Sequence, residues 1–122
     1  MALMTTYASI PPYVTKDGSV IRELMHPDVH GNQHASMAEA CISPGHKTAL
    51  HTHTLSEEIY HITQGIGQMT LGDEQFMVAA GDTICIKPGE PHCIENMGDK
   101  DLTIICSCAP PYSHQDTNLP GE

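Results

Sequence analysis

The feature that most constrains the fold is a series of glycine turns spaced evenly along the chain. Seven turn signals stand at Gly31-Asn32, Pro44-Gly45, Gly65, Gly72-Asp73, Gly81-Asp82, Pro88-Gly89 and Gly98-Asp99. The segments between them are short and rich in Ile, Val, Thr, Met and Cys. No segment keeps a 3.6-residue apolar period for three helical turns. Short strands at this spacing indicate an all-β fold of the sandwich, barrel or jelly-roll type.

Strand boundaries follow from the turns. Strands are predicted over residues 20–24, 36–42, 49–53, 58–63, 67–71, 75–78, 83–86, 92–96 and 102–107. Two hairpins are clear, one turning at Gly65 and one at Gly72-Asp73. The 122 residues are expected to form a single domain, 1–122, with a barrel over about 34–107. The ends, 1–18 and 109–122, are expected to be less regular because both contain proline pairs.

The amino-acid composition argues against several classes of binding partner. Five Lys and Arg against fifteen Asp and Glu give a net charge of −10, which disfavours nucleic acid and anionic membranes. No apolar run reaches the roughly 20 residues that span a bilayer, and the first residues lack the features of a signal peptide. The odd number of cysteines, five, argues for reduced thiols. The expected compartment is the cytoplasm, and the expected partner is a small-molecule substrate.

The residues that carry chemistry are three histidines and a glutamate. In a strand, His51 and His53 point to one face, where two imidazoles can chelate one metal ion. Glu58 opens the next predicted strand and can return a carboxylate to the same ion. His92 follows the turn at Pro88-Gly89 and can complete a site with three histidines and one carboxylate. Mixed N and O ligation with open positions suits one divalent transition metal: Mn, Fe, Co, Ni or Zn.

The same residues lie in two longer patterns. Gly45-x5-His51-x-His53-x4-Glu58-x6-Gly65 resembles the first motif of the cupin family, and Gly81-x6-Pro88-Gly89-x2-His92-x3-Asn96 resembles the second. The motifs span residues 45–96, and Lys87 stands where the family commonly has a proline. The resemblance implies a double-stranded β-helix, or jelly-roll barrel. It also implies that His51, His53, Glu58 and His92 are metal ligands and that the protein is a homodimer.

Other polar residues have competing interpretations. Period-2 alternation places Tyr60 on the ligand face, as a catalytic acid or base, or as a packing residue. His61 is expected to point outward, and Lys87 to be solvated. His26, His30 and His34 have helical spacing, but Pro27 and Gly31 favour a loop that binds no metal. Cys106 and Cys108 lie in an apolar strand, where packing is favoured over metal binding.

Function is therefore predicted only by class. The favoured hypothesis is a metal-dependent enzyme acting on a small oxygenated metabolite, either a sugar or a small carboxylic acid. Among cupins the resemblance implies isomerases, epimerases, decarboxylases, lyases and dioxygenases. The alternative is a non-catalytic module that binds a sugar or another small molecule. A purely structural role is disfavoured because the polar constellation would lie inside a small barrel.

Overall fold

The computed structural model describes residues 2–121 and contains eleven short strands, one helical turn and one 3₁₀ turn (Tyr7–Ser9). The helical turn is α1 (Pro27–His30). The strands are β1 (Tyr13–Val14), β2 (Val20–Met25), β3 (Ser36–Ile42), β4 (Thr52–His53), β5 (Glu57–Gln64), β6 (Ile66–Leu71), β7 (Glu74–Ala79), β8 (Thr83–Ile86), β9 (His92–Asn96), β10 (Leu102–Ala109) and β11 (Thr117–Asn118).

All strand pairs are antiparallel and form two main sheets. One has six strands in the order β1-β2-β3-β10-β5-β8, and the other has three in the order β7-β6-β9. A short pair, β11-β4, joins the C-terminal segment to the strand that contains His53. Strands distant in sequence are neighbours, as β3 and β10 are, which is the arrangement of a jelly roll. The predicted all-β jelly-roll barrel is confirmed.

The core lies inside the barrel and is aliphatic. Alternate residues of β5, β8 and β10 are buried, as period-2 geometry requires when one sheet face is packed and the other solvated. The largest fully buried apolar side chains are Ile62, Met69, Ile86, Ile94, Leu102 and Ile104. Burying one such side chain contributes roughly 1.5–3 kcal/mol, so this core is the main stabilising element.

The nine predicted strands are all present; one is shorter than predicted, and five are longer by one or two residues. The predicted strand 49–53 is regular only at Thr52–His53. Upstream of it the chain makes isolated bridges, Lys47 with Glu95 and His51 with His92. Ala49 donates its amide to the carbonyl of Asp17 instead of to a neighbouring strand, so the ladder cannot continue there. The two short strands β1 and β11 were not predicted.

The loop predicted around His26 contains a helical turn. Pro27 occupies its first position, where the missing amide has no intrahelical partner to lose, and Gly31 ends it with φ of 91°. His26 caps the turn by accepting a hydrogen bond from the amide of Asp28 at 3.1 Å. Proline and glycine therefore mark the two ends of this helix, and the prediction of a loop without helix was wrong.

Candidate metal centre

Two candidate ligands are joined through their backbones. His51 donates its amide to the carbonyl of His92 at 3.1 Å, and His92 donates to the carbonyl of His51 at 2.9 Å. Their rings lie with centroids 4.1 Å apart. His53 follows two residues later on the same face, with its ring 5.0 Å from that of His51. All three side chains are buried, which confirms that the His-x-His pair points inward.

The hydrogen bonds of the rings fix their tautomers. His51 Nδ1 lies 2.7 Å from the carbonyl of Ala49, and His92 Nδ1 lies 3.0 Å from the carbonyl of Glu90. A carbonyl only accepts, so both Nδ1 atoms carry the proton. Thr117 gives its own hydroxyl proton to the carbonyl of Ser113, so it accepts from His53 Nδ1 at 3.2 Å. Each imidazole therefore presents an unprotonated Nε2 to the cavity, as a metal ligand does.

The fourth ligand atom is a carboxylate oxygen of Glu58. Its Oε1 lies 3.2 Å from His53 Nε2 and 3.4 Å from His92 Nε2. Four donor atoms, one from each of the four residues, lie within 4.8 Å of one another. Ligands about 2.1 Å from one ion are about 3.0–3.4 Å apart at octahedral or tetrahedral angles. The two separations from Glu58 Oε1 fit ligands of one shared ion.

The electrostatics of the cluster also fit a cation. Glu58 Oε1 and His92 Nε2 are buried and have no hydrogen-bond partner. Because His53 and His92 are both protonated on Nδ1, the lone pairs of their Nε2 atoms face the carboxylate oxygen of Glu58. A cation bound between them would remove this repulsion. In the metal-free protein a second proton on the His53 or His92 ring, at Nε2, can take the place of that cation: burial raises the pKa of Glu58, but hydrogen bonds from the rings so protonated outweigh burial and hold it at about 2. Burial lowers the pKa of His51, which favours its neutral, ligating form.

A cavity adjoins the ligands inside the barrel. The space that the centres of water molecules can occupy inside it has a volume of about 40 Å³. One water needs about 10–15 Å³ on this measure, so the cavity holds roughly three waters or one small ligand. Its walls combine aliphatic side chains, such as Ile21, Ile42 and Ile104, with polar and charged ones. This combination is typical of a site for a small, partly polar molecule.

Tyr60 borders this cavity, as its place on the ligand face of β5 predicted. It is buried, with its ring 6.1 Å from that of His92. Burial, reinforced by the charge of Glu58, raises the pKa of Tyr60 well above its usual value. The phenol is therefore held in its protonated form, which is suited to donating a proton or a hydrogen bond rather than accepting one.

The C-terminal segment closes the end of the barrel beside the ligands. Asp116 accepts hydrogen bonds from the amides of Leu55 and Ser56, in the turn that leads to Glu58. Tyr112 lies with its ring 5.8 Å from that of His53 and borders the cavity. The segment is short and irregular apart from β11, yet it supplies direct contacts to the ligands. Sequence reasoning missed this because no local pattern links Thr117 or Asp116 to a site sixty residues away.

Cys108 contacts the carboxylate ligand directly. Its thiol donates to Glu58 Oε2 at 3.3 Å, across the pairing of β10 with β5. Cys106 and Cys108 are both buried on the inner face of β10, which confirms the prediction that they face the core. Glu58 is thus held by one oxygen and offers the other to the centre.

Two further carboxylates border the cavity and were not predicted. Asp17 Oδ2 lies 3.8 Å from His51 Nε2, while its Oδ1 accepts from the amide and the hydroxyl of Ser19. Glu23 lies on β2 two residues after the buried Ile21. An acidic residue at period-2 spacing from a buried isoleucine was the available signal. Asp17 had none, because the Lys-Asp-Gly sequence around it is an ordinary turn.

The remaining histidines and Lys87 lie apart from the cluster. His26 accepts from the amide of Asp28 through Nδ1, so its Nε2 donates to the carbonyl of Tyr112 at 2.7 Å. His30 accepts from the amide of His26 at 2.9 Å. His61 is exposed on the outer face, and Lys87 is exposed beside the turn before His92. The exposure of His61 and Lys87 matches the predictions that His61 points outward and that Lys87 is solvated.

A jelly-roll barrel with three inward histidines and a glutamate defines a class of proteins built around one small internal site. A family model described as the cupin domain matches residues 38–108, more than half of the chain. The chain belongs to the cupin family. The resemblance found in the two motifs is confirmed.

Two relatives extend this assignment. The chain is 53% identical over 117 residues to an uncharacterised protein of Methanocaldococcus jannaschii, covering 96% of this chain and 94% of that one. It is 33% identical over 84 residues to the oxalate-binding protein of Thermotoga maritima, covering 69% of this chain and 65% of that one. The match to this second relative thus spans slightly less than two thirds of its length.

Solved structures share the fold. A predicted oxalate decarboxylase from Thermotoga maritima superposes with a TM-score of 0.77 at 25% identity, covering 90% of this chain and 99% of that one. The oxalate decarboxylase of Lactobacillus farciminis in its formate complex gives a TM-score of 0.78 at 24% identity, covering 93% of this chain. The chain spans only 34% of that enzyme's length, and this likeness concerns the fold alone.

Proposed function

We propose that the protein is a metal-dependent enzyme acting on a small oxygenated metabolite. The supporting observation is the tautomer set: three buried imidazoles, each protonated on Nδ1, turn their Nε2 atoms toward Glu58 Oε1. Such pre-set orientation is characteristic of metal ligands and their supporting partners. His51, His53, Glu58 and His92 would hold one divalent transition metal: Mn, Fe, Co, Ni or Zn.

A bound divalent metal would act as a Lewis acid on a substrate oxygen. The chain's own residues would then handle protons and position. Tyr60, kept protonated by burial, is the candidate catalytic acid. Asp17, with Oδ2 near His51, can accept a hydrogen bond from a substrate held at the centre. The cavity of about 40 Å³ restricts that substrate to a few heavy atoms.

Metal analysis of protein purified without a histidine tag tests this proposal. Dialysis against each candidate metal should leave one ion per chain, and His53→Ala should abolish tight binding. His61→Ala is the matched control because His61 directly follows Tyr60 and therefore lies on the outer face of β5. Equal metal binding by both variants, or none by the wild type, would defeat the proposal. A panel of small acids and sugars incubated with loaded protein then tests for turnover.

A second candidate is a non-catalytic binding module. It is supported by the 33% identical relative from Thermotoga maritima, which is called an oxalate-binding protein. The same panel separates the two candidates. Saturable binding of a small molecule without conversion, unaffected by Tyr60→Phe, favours the binding module. Turnover that falls at least tenfold in Tyr60→Phe favours the enzyme.

We also propose that the protein is a homodimer of the cytoplasm. Apolar side chains lie on the outer face of the six-stranded sheet, where Met37 and Ile59 flank Ser107 and are 45% and 41% exposed. A second copy would cover such a face. The five cysteines are all free, which suits a reducing compartment. No helix within residues 2–121 is long and apolar enough to cross a membrane. Sedimentation equilibrium of the wild type and Ile59→Glu tests the dimer.

A further inference from the structure

The cavity contains more negative charge than the metal ligands account for. Asp17 and Glu23 both border it, in addition to Glu58. Asp17 Oδ1 is held by Ser19, and its Oδ2 is directed toward the metal centre, 3.8 Å from His51 Nε2. Asp17 is itself mostly buried, with 12% of its side chain exposed. Its orientation is therefore fixed by the protein rather than by solvent.

Glu23 provides a second fixed carboxylate farther from the ligands. Tyr13 donates its hydroxyl to Glu23 Oε1 at 2.8 Å. The other oxygen, Oε2, is buried and has no hydrogen-bond partner among the described residues. A buried acceptor without a donor is costly, so it is satisfied by a donor brought in from outside. A ligand hydroxyl or ammonium group has the required chemistry.

No lysine or arginine of the described residues lines the cavity. The chain's one arginine, Arg22, binds the carbonyl of Ile10 and the hydroxyl of Tyr7. Lys16 directs its ammonium to the carbonyls of His114 and Thr117. A divalent ion brings two positive charges and the three carboxylates bring three negative ones. The loaded cavity is therefore net negative.

Resting on the proposed function, we propose that Asp17 and Glu23 are specificity-determining residues that select a small donor-bearing molecule and disfavour dianions. The metal centre would take one oxygen of the ligand, and Glu23 Oε2 would accept a hydrogen bond from its hydroxyl or ammonium group. The chemical class is a neutral or cationic compound of two or three carbons, such as a vicinal diol, a hydroxycarbonyl or an amino alcohol. A dicarboxylate would meet two fixed like charges, which weakens binding.

Calorimetric titration of Mn²⁺-loaded protein tests the inference. Ethanolamine, glycolate and oxalate serve as probes because they are similar in size and differ in charge. Asp17→Asn and Glu23→Gln each remove one charge with little change of shape. We expect each variant to bind oxalate at least tenfold more tightly than the wild type does, and ethanolamine at least threefold more weakly. Asp73→Asn, in the turn between β6 and β7, and Glu74→Gln, at the exposed start of β7, are matched controls and should change neither affinity.

Each variant tests the inference separately, so one that fails to fold leaves the other informative. Oxalate affinities within threefold of the wild-type value in the folded variants would overturn the inference while leaving the metal site intact. Failure of the wild type to bind Mn²⁺, Fe²⁺, Co²⁺, Ni²⁺ or Zn²⁺ would instead overturn the proposed function, and this inference with it. Metal stoichiometry is measured first, which keeps the two failures distinct.

Discussion

Thr117 Oγ1 accepts a hydrogen bond from His53 Nδ1 at 3.2 Å, so the C-terminal segment orients a candidate ligand that lies sixty-four positions earlier. Thr117 is almost fully buried and anchors its own hydroxyl proton on the carbonyl of Ser113. The same segment pairs β11 with β4 through Thr117 and His53 themselves. The residue that orients His53 therefore also attaches the C-terminal segment to the barrel.

The first prediction concerns that hydrogen bond. Thr117→Val keeps the side-chain shape and removes the acceptor, leaving the His53 Nδ1 proton without a partner. Loss of such a supporting contact typically lowers metal affinity 10–100-fold, and we expect a loss in that range. Competition with a chromophoric chelator measures it. Thr117→Ser retains the hydroxyl and should bind metal nearly as tightly as the wild type; equal affinity in the valine variant would contradict the role.

The second prediction concerns Cys108. Cys108→Ala removes the donor to Glu58 Oε2, so the carboxylate loses the contact that directs its other oxygen to the centre. We expect metal affinity to fall about tenfold and Cys108→Ser to recover most of it, since the hydroxyl also donates. The control is Cys106→Ala, which makes a similar void in the same strand. If both alanine variants lose affinity equally, the effect comes from packing alone.

The third prediction concerns pH and the metal-free protein. Burial lowers the pKa of His51. Burial also raises the pKa of Glu58, but hydrogen bonds from the His53 and His92 rings, when these are protonated on Nε2 in the metal-free protein, outweigh it and hold the value at about 2 against an ordinary 4.5. In both cases the unfolded chain binds more protons than the folded one, so the free energy of unfolding rises with pH. The free energy of unfolding should reach its highest value above about pH 6.5 and fall by about 1–3 kcal/mol as the pH drops toward 3.

Urea unfolding in the presence of EDTA, at several pH values between 3 and 8, measures this slope. His51→Asn should flatten the part of the profile near pH 6, and Glu58→Gln the part below pH 4.5. A metal-free protein whose unfolding free energy is constant or rises on acidification would contradict the assignment.

The fourth prediction concerns stabilisation by the metal. A ligand that binds only the folded state adds about 2.7 kcal/mol at a free concentration one hundred times its Kd. We expect the wild type to show that gain with its preferred metal and to lose it when EDTA is added. His92→Ala should show little gain, because it removes a fully buried ligand. A metal-induced shift of equal size in that variant would place the ion elsewhere.

The sequence was sufficient for the barrel and for the four candidate ligands. Glycine turns and period-2 alternation are local signals, and His51, His53 and Glu58 lie within eight residues of one another. His92 was predicted from its place in a second motif. The prediction succeeded where the physical cause, a strand or a turn, is contained in a few neighbouring residues.

The parts that could not be predicted depend on contacts between distant segments. Asp17 reaches the centre because its carbonyl accepts the amide of Ala49, and Thr117 because β11 pairs with β4. Neither contact leaves a local sequence pattern. The first is a single hydrogen bond, and the second pairs only two residues of β11 with two of β4. Glu23 is intermediate: it lies on β2 two residues after the buried Ile21, so period-2 alternation is a local signal for its inward position.

The backbone bridge between His51 and His92 has a consequence for the order of assembly. These two residues are forty-one positions apart in the chain, so they meet only after the intervening strands have closed. An unfolded or half-formed chain offers an ion little more than the neighbouring pair His51 and His53. Tight capture of an ion by this site would therefore be a late event during maturation, and the loaded fraction of a preparation would count the molecules that have completed their barrel.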